Sequence, residues 1–278
     1  MSFLWGLLQL ARPLNGLITW AAVVVGAVVA RQGASAMPVA LAGLSAALIA
    51  SGGNALNDFS DVATDRINKP HRPIPSGRVS RGWACGWAVS LFAAGLWIAG
   101  TLSPAAFCVA VAAIALLVTY SWRLKRTPYW GNATVSLVSG MAFVYGGLAV
   151  SHPAPALVPG VLAFLFHCGR EIIKDVEDAV GDASVSAQTA PLRYGKKTAL
   201  TAATAVLCLL VGATLFPFWL GLYGPIYLAI VLLAVDPVLF YVILSMWRDS
   251  TPETLAKLSL VLKADMPIGL LAVILGTL

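Results

Sequence analysis

Charge is what this sequence has least of. Only 11% of its 278 residues are Asp, Glu, Lys or Arg, against about 25% in soluble domains. That deficit excludes a water-soluble globule, a disordered chain and a nucleic-acid-binding domain, none of which could stay in solution or build a phosphate-binding face with so few charges. Cysteine is also sparse. Cys85, Cys108, Cys168 and Cys208 all lie in apolar stretches without CxxC spacing, which argues against a disulfide framework or a zinc site and leaves them as small buried hydrophobes. What is abundant is apolar surface: 59% of residues are hydrophobic and the mean hydropathy is +0.85. The chain reads as an integral membrane protein, all-α and polytopic.

Nine stretches reach the roughly 20 apolar residues that cross a hydrocarbon core of about 30 Å. They run over 13–30, 37–57, 83–100, 104–121, 131–150, 155–176, 198–216, 222–246 and 257–277. The opening MSFLWGLLQLARPLNG has neither a basic n-region nor a small-residue cleavage pattern, so its apolar segment reads as a retained span. Connectors after the odd-numbered spans are short and nearly uncharged; those after the even-numbered spans are longer and ionic. Of 18 cations, only Arg31 falls on the opposite side, so the positive-inside rule puts the N-terminus and the even connectors in the cytoplasm. Eleven of the 12 acids share that half, Asp236 in span 8 being the exception.

Acidic residues contribute little to orientation, and their grouping points to chemistry. Eight of the 12 fall in two clusters, Asn54-Ala-Leu-Asn57-Asp58-Phe-Ser-Asp61-Val-Ala-Thr-Asp65 and Glu171-Ile-Ile-Lys174-Asp175-Val-Glu177-Asp178-Ala-Val-Gly-Asp182. Asp58, Asp61 and Asp65 recur as Asp175, Asp178 and Asp182 at a constant offset of 117, with Asn54 and Glu171 one turn earlier. Pro73, Gly77 and Arg78 recur as Pro191, Gly195 and Lys196 at offset 118. The pattern suggests an internal repeat, with halves at about 13–121 and 131–246 and a ninth helix, inside a single domain of residues 1–278. On a helix, positions i, i+4, i+7 and i+11 form one narrow stripe. Four oxygen-bearing side chains on such a stripe, at the end of an apolar span, repel one another unless a cation is present. Magnesium takes one or two carboxylates and completes its shell with waters and phosphates, so two facing stripes could hold two ions with a diphosphate between them.

Cations interleave with the acids. Arg66, Lys69 and Arg72 follow the first cluster and are candidates for phosphate contact, whereas Arg78 and Arg81 fit positive-inside topology. Tyr120, Lys125 and Arg126 stand where span 4 leaves the membrane and could face the same cavity. His71 lies in the Pro-rich loop, and His152 and His167 are isolated; none is assigned a role. The tryptophans fit interfacial belts and the many Gly and Ala positions fit close helix packing.

Asn57 to Ser80, NDFSDVATDRINKPHRPIPSGRVS, resembles the first signature of the UbiA superfamily of intramembrane prenyltransferases, and Asp175 to Asp182, DVEDAVGD, is similar to its second aspartate-rich motif. With nine spans and the YSxxLKR segment after span 4, the resemblance covers essentially the whole chain. It implies a helical bundle around a central cavity open to lipid, in the cell membrane, with an active site at the cytoplasmic face. It also implies an isoprenyl diphosphate donor bound through Mg2+ and a lipid-soluble acceptor. On that reading Asp58, Asp61, Asp65, Asp175, Asp178 and Asp182 are catalytic. Asn54 joins the first three on one ion, and the second three hold the other. Arg66, Lys69, Arg72, Tyr120, Lys125, Arg126, Glu171 and Lys174 bind substrate.

For the acceptor, the stretch from Arg170 to Gly195 is more similar to the archaeal ether-lipid branch, which alkylates the free hydroxyl of geranylgeranylglyceryl phosphate, than to relatives acting on 4-hydroxybenzoate. The latter tend to carry Tyr-Ala where this chain has Lys174-Asp175. Alternatives are an aromatic acceptor in quinone biosynthesis and, from a different class, a cation or metabolite transporter, since repeats and intramembrane carboxylates are also transporter features. Transporter sites tend to lie near the midplane, however, and these clusters lie at one surface.

Overall fold

The computed structural model describes residues 3–30 and 36–277, so Arg31 lies outside the described residues. Every regular element is helical: α1 (Phe3–Ala11), α2 (Pro13–Val29), α3 (Ala36–Ser60), α4 (Val62–Asn68), α5 (Arg81–Leu102), α6 (Pro104–Trp122), α7 (Trp130–Ala149), α8 (Leu157–Glu177), α9 (Ala179–Ser184), α10 (Ala190–Tyr194), α11 (Lys196–Trp219), α12 (Pro225–Ile230), α13 (Asp236–Arg248) and α14 (Pro252–Thr277). Among the described residues nine helical segments are long and apolar enough to cross a membrane, one for each predicted span.

Local chemistry sets the boundaries. Ser80 and Ser103 cap α5 and α6, their hydroxyls accepting from Trp83 N at 3.3 Å and Ala106 N at 3.1 Å, and Pro104 opens α6 at the position where a missing N–H costs nothing. The first span differs from its prediction. Helix begins at Phe3, ten residues early, and breaks at Arg12, which takes a left-handed conformation before Pro13. Span 8 carries a π-helical turn at Val231–Val235 between α12 and α13, just ahead of Asp236 and Pro237.

The largest departure is in the acidic segments. Neither is one straight helix: Asp61 sits at the junction of α3 and α4, and Asp178 at that of α8 and α9. Backbone bonds from Asp61 N to Asn57 O (2.9 Å) and Asp178 N to Lys174 O (2.8 Å) carry the helical path through each bend. Gly77 and Gly195, the pair noted at offset 118, both have positive φ.

The helices close on themselves. α3 packs on α5 and α2, α2 on α7, α7 on α8, and α8 on α11, while α14 touches both α8 and α2. The α2–α7 contact is close enough to exclude side chains: a Cβ on Gly146 would lie 1.9 Å from Val23 O, and one on Gly26 2.0 Å from Phe143 O. This is the small-residue packing that membrane helices use where lipid offers no hydrophobic drive. Two large apolar clusters, one mainly among α1–α7 and one among α8, α11, α13 and α14, and a small third of Ala27, Ala30 and Val150 form the interior.

Between α4 and α5, residues 69–80 form a loop that holds Pro70, Pro73 and Pro75. It is tied by Ser76 N to Arg72 O and Gly77 N to Ile74 O, both 3.0 Å, and Val79 N to Pro73 O, 3.1 Å. Arg78 fastens it to α1 through Gln9 Oε1 at 2.6 Å.

Asp265, counted from sequence among the cytoplasmic acids, stands halfway along α14 and interacts electrostatically with Asp236. Asp236 meets the Thr214 hydroxyl at 3.4 Å, whereas both Asp265 carboxylate oxygens are buried without a hydrogen bond among the described residues.

Candidate active site

A cavity of about 880 Å3 runs into the bundle, near the upper end of the roughly 300–1,000 Å3 range of small-molecule sites. Its inner walls are apolar, with Ile49, Leu117, Val138, Phe143, Leu162 and Phe166 among them. The two bent acidic segments stand at its mouth. Asn54, Asp61, Asp65, Lys69, Arg72, Tyr120, Lys125, Glu171, Lys174, Asp175, Asp178 and Asp182 all line it. Three predicted residues do not. Arg66 and Arg126 are exposed and point elsewhere, because α4 turns its Arg66 face outward and the short turn at 124–126 sends only Lys125 inward. Asp58 is buried behind the lining, held by Arg12 and by Arg72 Nη1 at 3.1 Å. In this structure its carboxylate holds guanidinium groups and does not line the cavity.

Most of the remaining acids meet cations. Arg72 Nη1 reaches both Asp65 oxygens, at 2.9 and 2.7 Å. Lys125 pairs with Asp61 and donates to Asn57 Oδ1 at 3.2 Å. Across the cavity, Lys69 Nζ donates to both oxygens of Asp178 at 2.8 and 3.0 Å, so a cation of the first segment neutralises an acid of the second. Asn68 makes the same crossing, donating to Asp178 O at 2.9 Å and accepting from Gly181 N at 3.1 Å. A Cβ on Gly181 would lie 2.4 Å from the Asn68 amide, so a larger residue there would displace that side chain. On α8, Glu171 accepts from Arg170 at 3.0 Å and Lys174 at 2.8 Å, and Asp175 accepts from Asn132 at 3.0 Å.

Burial acts on these charges in both directions. It pushes the Asp65 carboxyl above its ordinary value, against the pull of Arg72. It opposes the charge on Arg72 too, but Asp58 and Asp65 outweigh it and hold the guanidinium more firmly protonated. Asp182 is pushed up to about 6 by burial, opposed by Lys125 and reinforced by Asp178 and Asp61.

Among the described residues no three His, Cys, Asp or Glu side chains are grouped closely enough to hold one metal ion; the cations stand between them. The donor chemistry nonetheless fits a hard divalent cation. Seven carboxylates of the two acidic segments line one cavity, and Asp182 is buried with no hydrogen bond or ion pair among the described residues. A buried acid in that state is stabilised by any cation that reaches it.

Sequence reasoning missed Arg12, Asn15, Arg170 and Lys263, which also line the cavity, and Asn68 and Asn132, which hold its acids. In the sequence Arg12 is one N-terminal cation with no acidic motif beside it. A lone lysine within span 9 was the available signal for Lys263.

The sequence and the fold have known counterparts. A digeranylgeranylglyceryl phosphate synthase of Methanopyrus kandleri is 40% identical over 95% of this chain and 96% of its own, and one of Thermococcus kodakarensis is 34% identical over 98% and 97%. A solved structure concerned with digeranylgeranylglyceryl phosphate synthase superposes with a TM-score of 0.77 at 30% identity, covering 100% of this chain and 99% of that one. A UbiA homologue of Archaeoglobus fulgidus bound to DMAPP and Mg2+ has the same fold, with a TM-score of 0.70 at 20% identity over 96% and 98% of the two chains. The model of the UbiA prenyltransferase family matches residues 19–263, a range that takes in both acidic segments and the helices enclosing the cavity, and the chain belongs to that family.

Proposed function

We propose that this prenyltransferase moves a geranylgeranyl group from its diphosphate to the free hydroxyl of geranylgeranylglyceryl phosphate, a step of archaeal ether-lipid synthesis. The observation that carries the acceptor is full-length similarity to synthases of that product.

The chain's residues suit that reaction. The diphosphate enters between the two acidic arms, where Lys69, Arg72 and Lys125 exchange carboxylate oxygens for phosphate oxygens and stabilise charge as it develops on the leaving group. Magnesium would be held by Asn54, Asp61 and Asp65 on one arm and by Asp175, Asp178 and Asp182 on the other, two ions in all, and would offset charge on the departing diphosphate. As the allylic C1–O bond breaks, its electron pair leaves on the diphosphate. The acceptor oxygen bonds to C1, and the hydroxyl proton passes to a diphosphate or carboxylate oxygen. Phe143, Leu162 and Phe166 help enclose the prenyl chain and keep water from the cation-like carbon. The arms face the cytoplasm, in keeping with the cations gathered around them.

Purified protein supplied with geranylgeranyl diphosphate, Mg2+ and either geranylgeranylglyceryl phosphate or 4-hydroxybenzoate tests the proposal. Ether product and diphosphate release with the first acceptor, abolished by chelation and restored by Mg2+, are expected. Product from 4-hydroxybenzoate alone would overturn the acceptor assignment.

A further inference from the structure

Away from the acidic arms, the cavity has a second polar corner, where the start of α2, the middle of α8 and one face of α14 converge. Ala256, Ser259, Leu260, Lys263, Met266 and Leu270 recur at helical spacing on α14 and all line the cavity, so Lys263 faces inward. Lys263 Nζ donates to Asn15 Oδ1 at 2.6 Å and has no carboxylate partner among the described residues. One helix away, Arg170 Nε donates to Ser259 O at 3.3 Å.

Arg12, Lys69, Arg72, Lys125, Arg170 and Lys174 each make an ion pair, the last two sharing Glu171; among the described residues Lys263 is the one Arg or Lys of the cavity lining that makes none. Its ammonium is held by a neutral amide alone. Placing cations inside a membrane protein is costly unless something neutralises them. Positive-inside topology explains a lysine that reaches toward the interface, not one hydrogen-bonded inward across a cavity.

A phosphate monoester carries about −1.5 to −2 charges at pH 7 with three strong acceptor oxygens, which suits an unpaired ammonium beside a guanidinium. Metal-bound diphosphate fits less well, because Glu171 already carries two cations. Lys263 has two N–H donors beyond the one used on Asn15, and Arg170 also has donors to spare. Arg12 lines the cavity and pairs with Asp58, which Arg72 also holds, so the corner adjoins the acidic arms.

We propose that Lys263, aimed by Asn15 and flanked by Arg170 and Lys174, binds the phosphate monoester of the acceptor and so selects a phosphorylated acceptor over a neutral one. The inference rests on the acceptor class proposed above. It places the acceptor's glycerol hydroxyl between this corner and the diphosphate site.

The test uses the full-length enzyme in lipid nanodiscs with Mg2+. In Lys263→Met, KM for geranylgeranylglyceryl phosphate is expected to rise about ten- to a hundredfold, the range of one lost charge-assisted hydrogen bond, while KM for geranylgeranyl diphosphate stays within about twofold. Lys263→Arg should recover most of the loss, and the wild-type preference for the phosphate acceptor over geranylgeranylglycerol should collapse in the Met variant. Binding of labelled geranylgeranylglyceryl phosphate without donor should weaken in parallel. If Lys263→Met does not accumulate, Asn15→Ala reads the same constant with a smaller rise expected. An unchanged acceptor KM, or an equal rise for the donor, overturns the phosphate corner while leaving the reaction intact. Wild type that binds the phosphate acceptor through Lys263 but never alkylates it overturns the reaction and leaves the corner.

Discussion

Asp58 opens the first acidic motif and Asp182 closes the second, and their surroundings give them opposite relations to stability. Asp58 is the shared acceptor of Arg12 and Arg72, so Asp58→Ala strands two guanidiniums beside a buried gap. Removing one partner of a fully buried pair costs about 3–5 kcal/mol; because the arginines here are partly solvated, about 2 kcal/mol is expected. Asp182 is buried without a hydrogen-bond partner among the described residues, so Asp182→Ala removes a desolvated acid and nothing that it holds. Thermal unfolding in detergent should show a clear drop for Asp58→Ala and no drop, or a small rise, for Asp182→Ala. Prenyl transfer should fall about a hundredfold in Asp182→Ala, with a higher Mg2+ requirement. A destabilised Asp182→Ala with normal Mg2+ dependence would refute its placement as a ligand.

Helices set the distances that those residues need. α2 brings Arg12 and Asn15 to the cavity and α7 brings Asn132 to Asp175, so the separation of α2 and α7 fixes the spacing of groups on opposite walls. Gly146 and Gly26 let the two backbones touch. Gly146→Leu has no flexible neighbour to displace, only Val23 O, and should cost about 3 kcal/mol by overpacking and depress activity through misplacement of both walls. Unfolding temperature and turnover should fall together; a stable, active Gly146→Leu would mean that the helices are not held at contact distance. At this scale the sequence was legible where the signal is one-dimensional. Apolar run length found every span, and Ser-capped or Pro-led starts such as Ser103-Pro104 sharpened the ends. The bends at Asp61 and Asp178 were hidden because a +3, +4 spacing is the same on a straight helix and on two helices joined at the middle residue. Whether Asp58 or Asp61 faces the cavity depends on neighbours more than a hundred residues away, which spacing does not encode. Lys263 was passed over because a single charge in an apolar run has no local pattern, only a partner, Asn15, 248 residues earlier.

Across the whole molecule, buried charge gathers around the cavity, exposed charges such as Arg126, Lys197 and Arg248 fall at helix ends and in connectors, and large apolar side chains cover much of the outer faces of the spans. Exposed Trp97, Leu209, Leu233 and Leu244 are lipid-facing in this reading, not a solubility defect. Sidedness can be tested at Arg126, which is exposed, lies off the cavity and sits beside Lys125. In sealed vesicles, Arg126→Cys should react with a membrane-impermeant maleimide from the cytoplasmic side only and retain near wild-type transfer. Labelling from the opposite side would invert the orientation, and loss of transfer would return Arg126 to the substrate-binding set.

The loop over residues 69–80 bears on how the donor is captured. Pro70, Pro73 and Pro75 each restrict φ, and the internal turns with the Arg78–Gln9 contact remove much of what freedom remains. The conformational entropy that an anion clamp usually surrenders when it closes is here surrendered when the chain folds. Lys69 and Arg72 already stand at their carboxylate partners before a donor arrives, so capture exchanges one oxygen anion for another without rearranging the backbone. Donor association should then be limited by lateral encounter in the bilayer, and lengthening this loop with glycines should slow capture while leaving every contact chemically available.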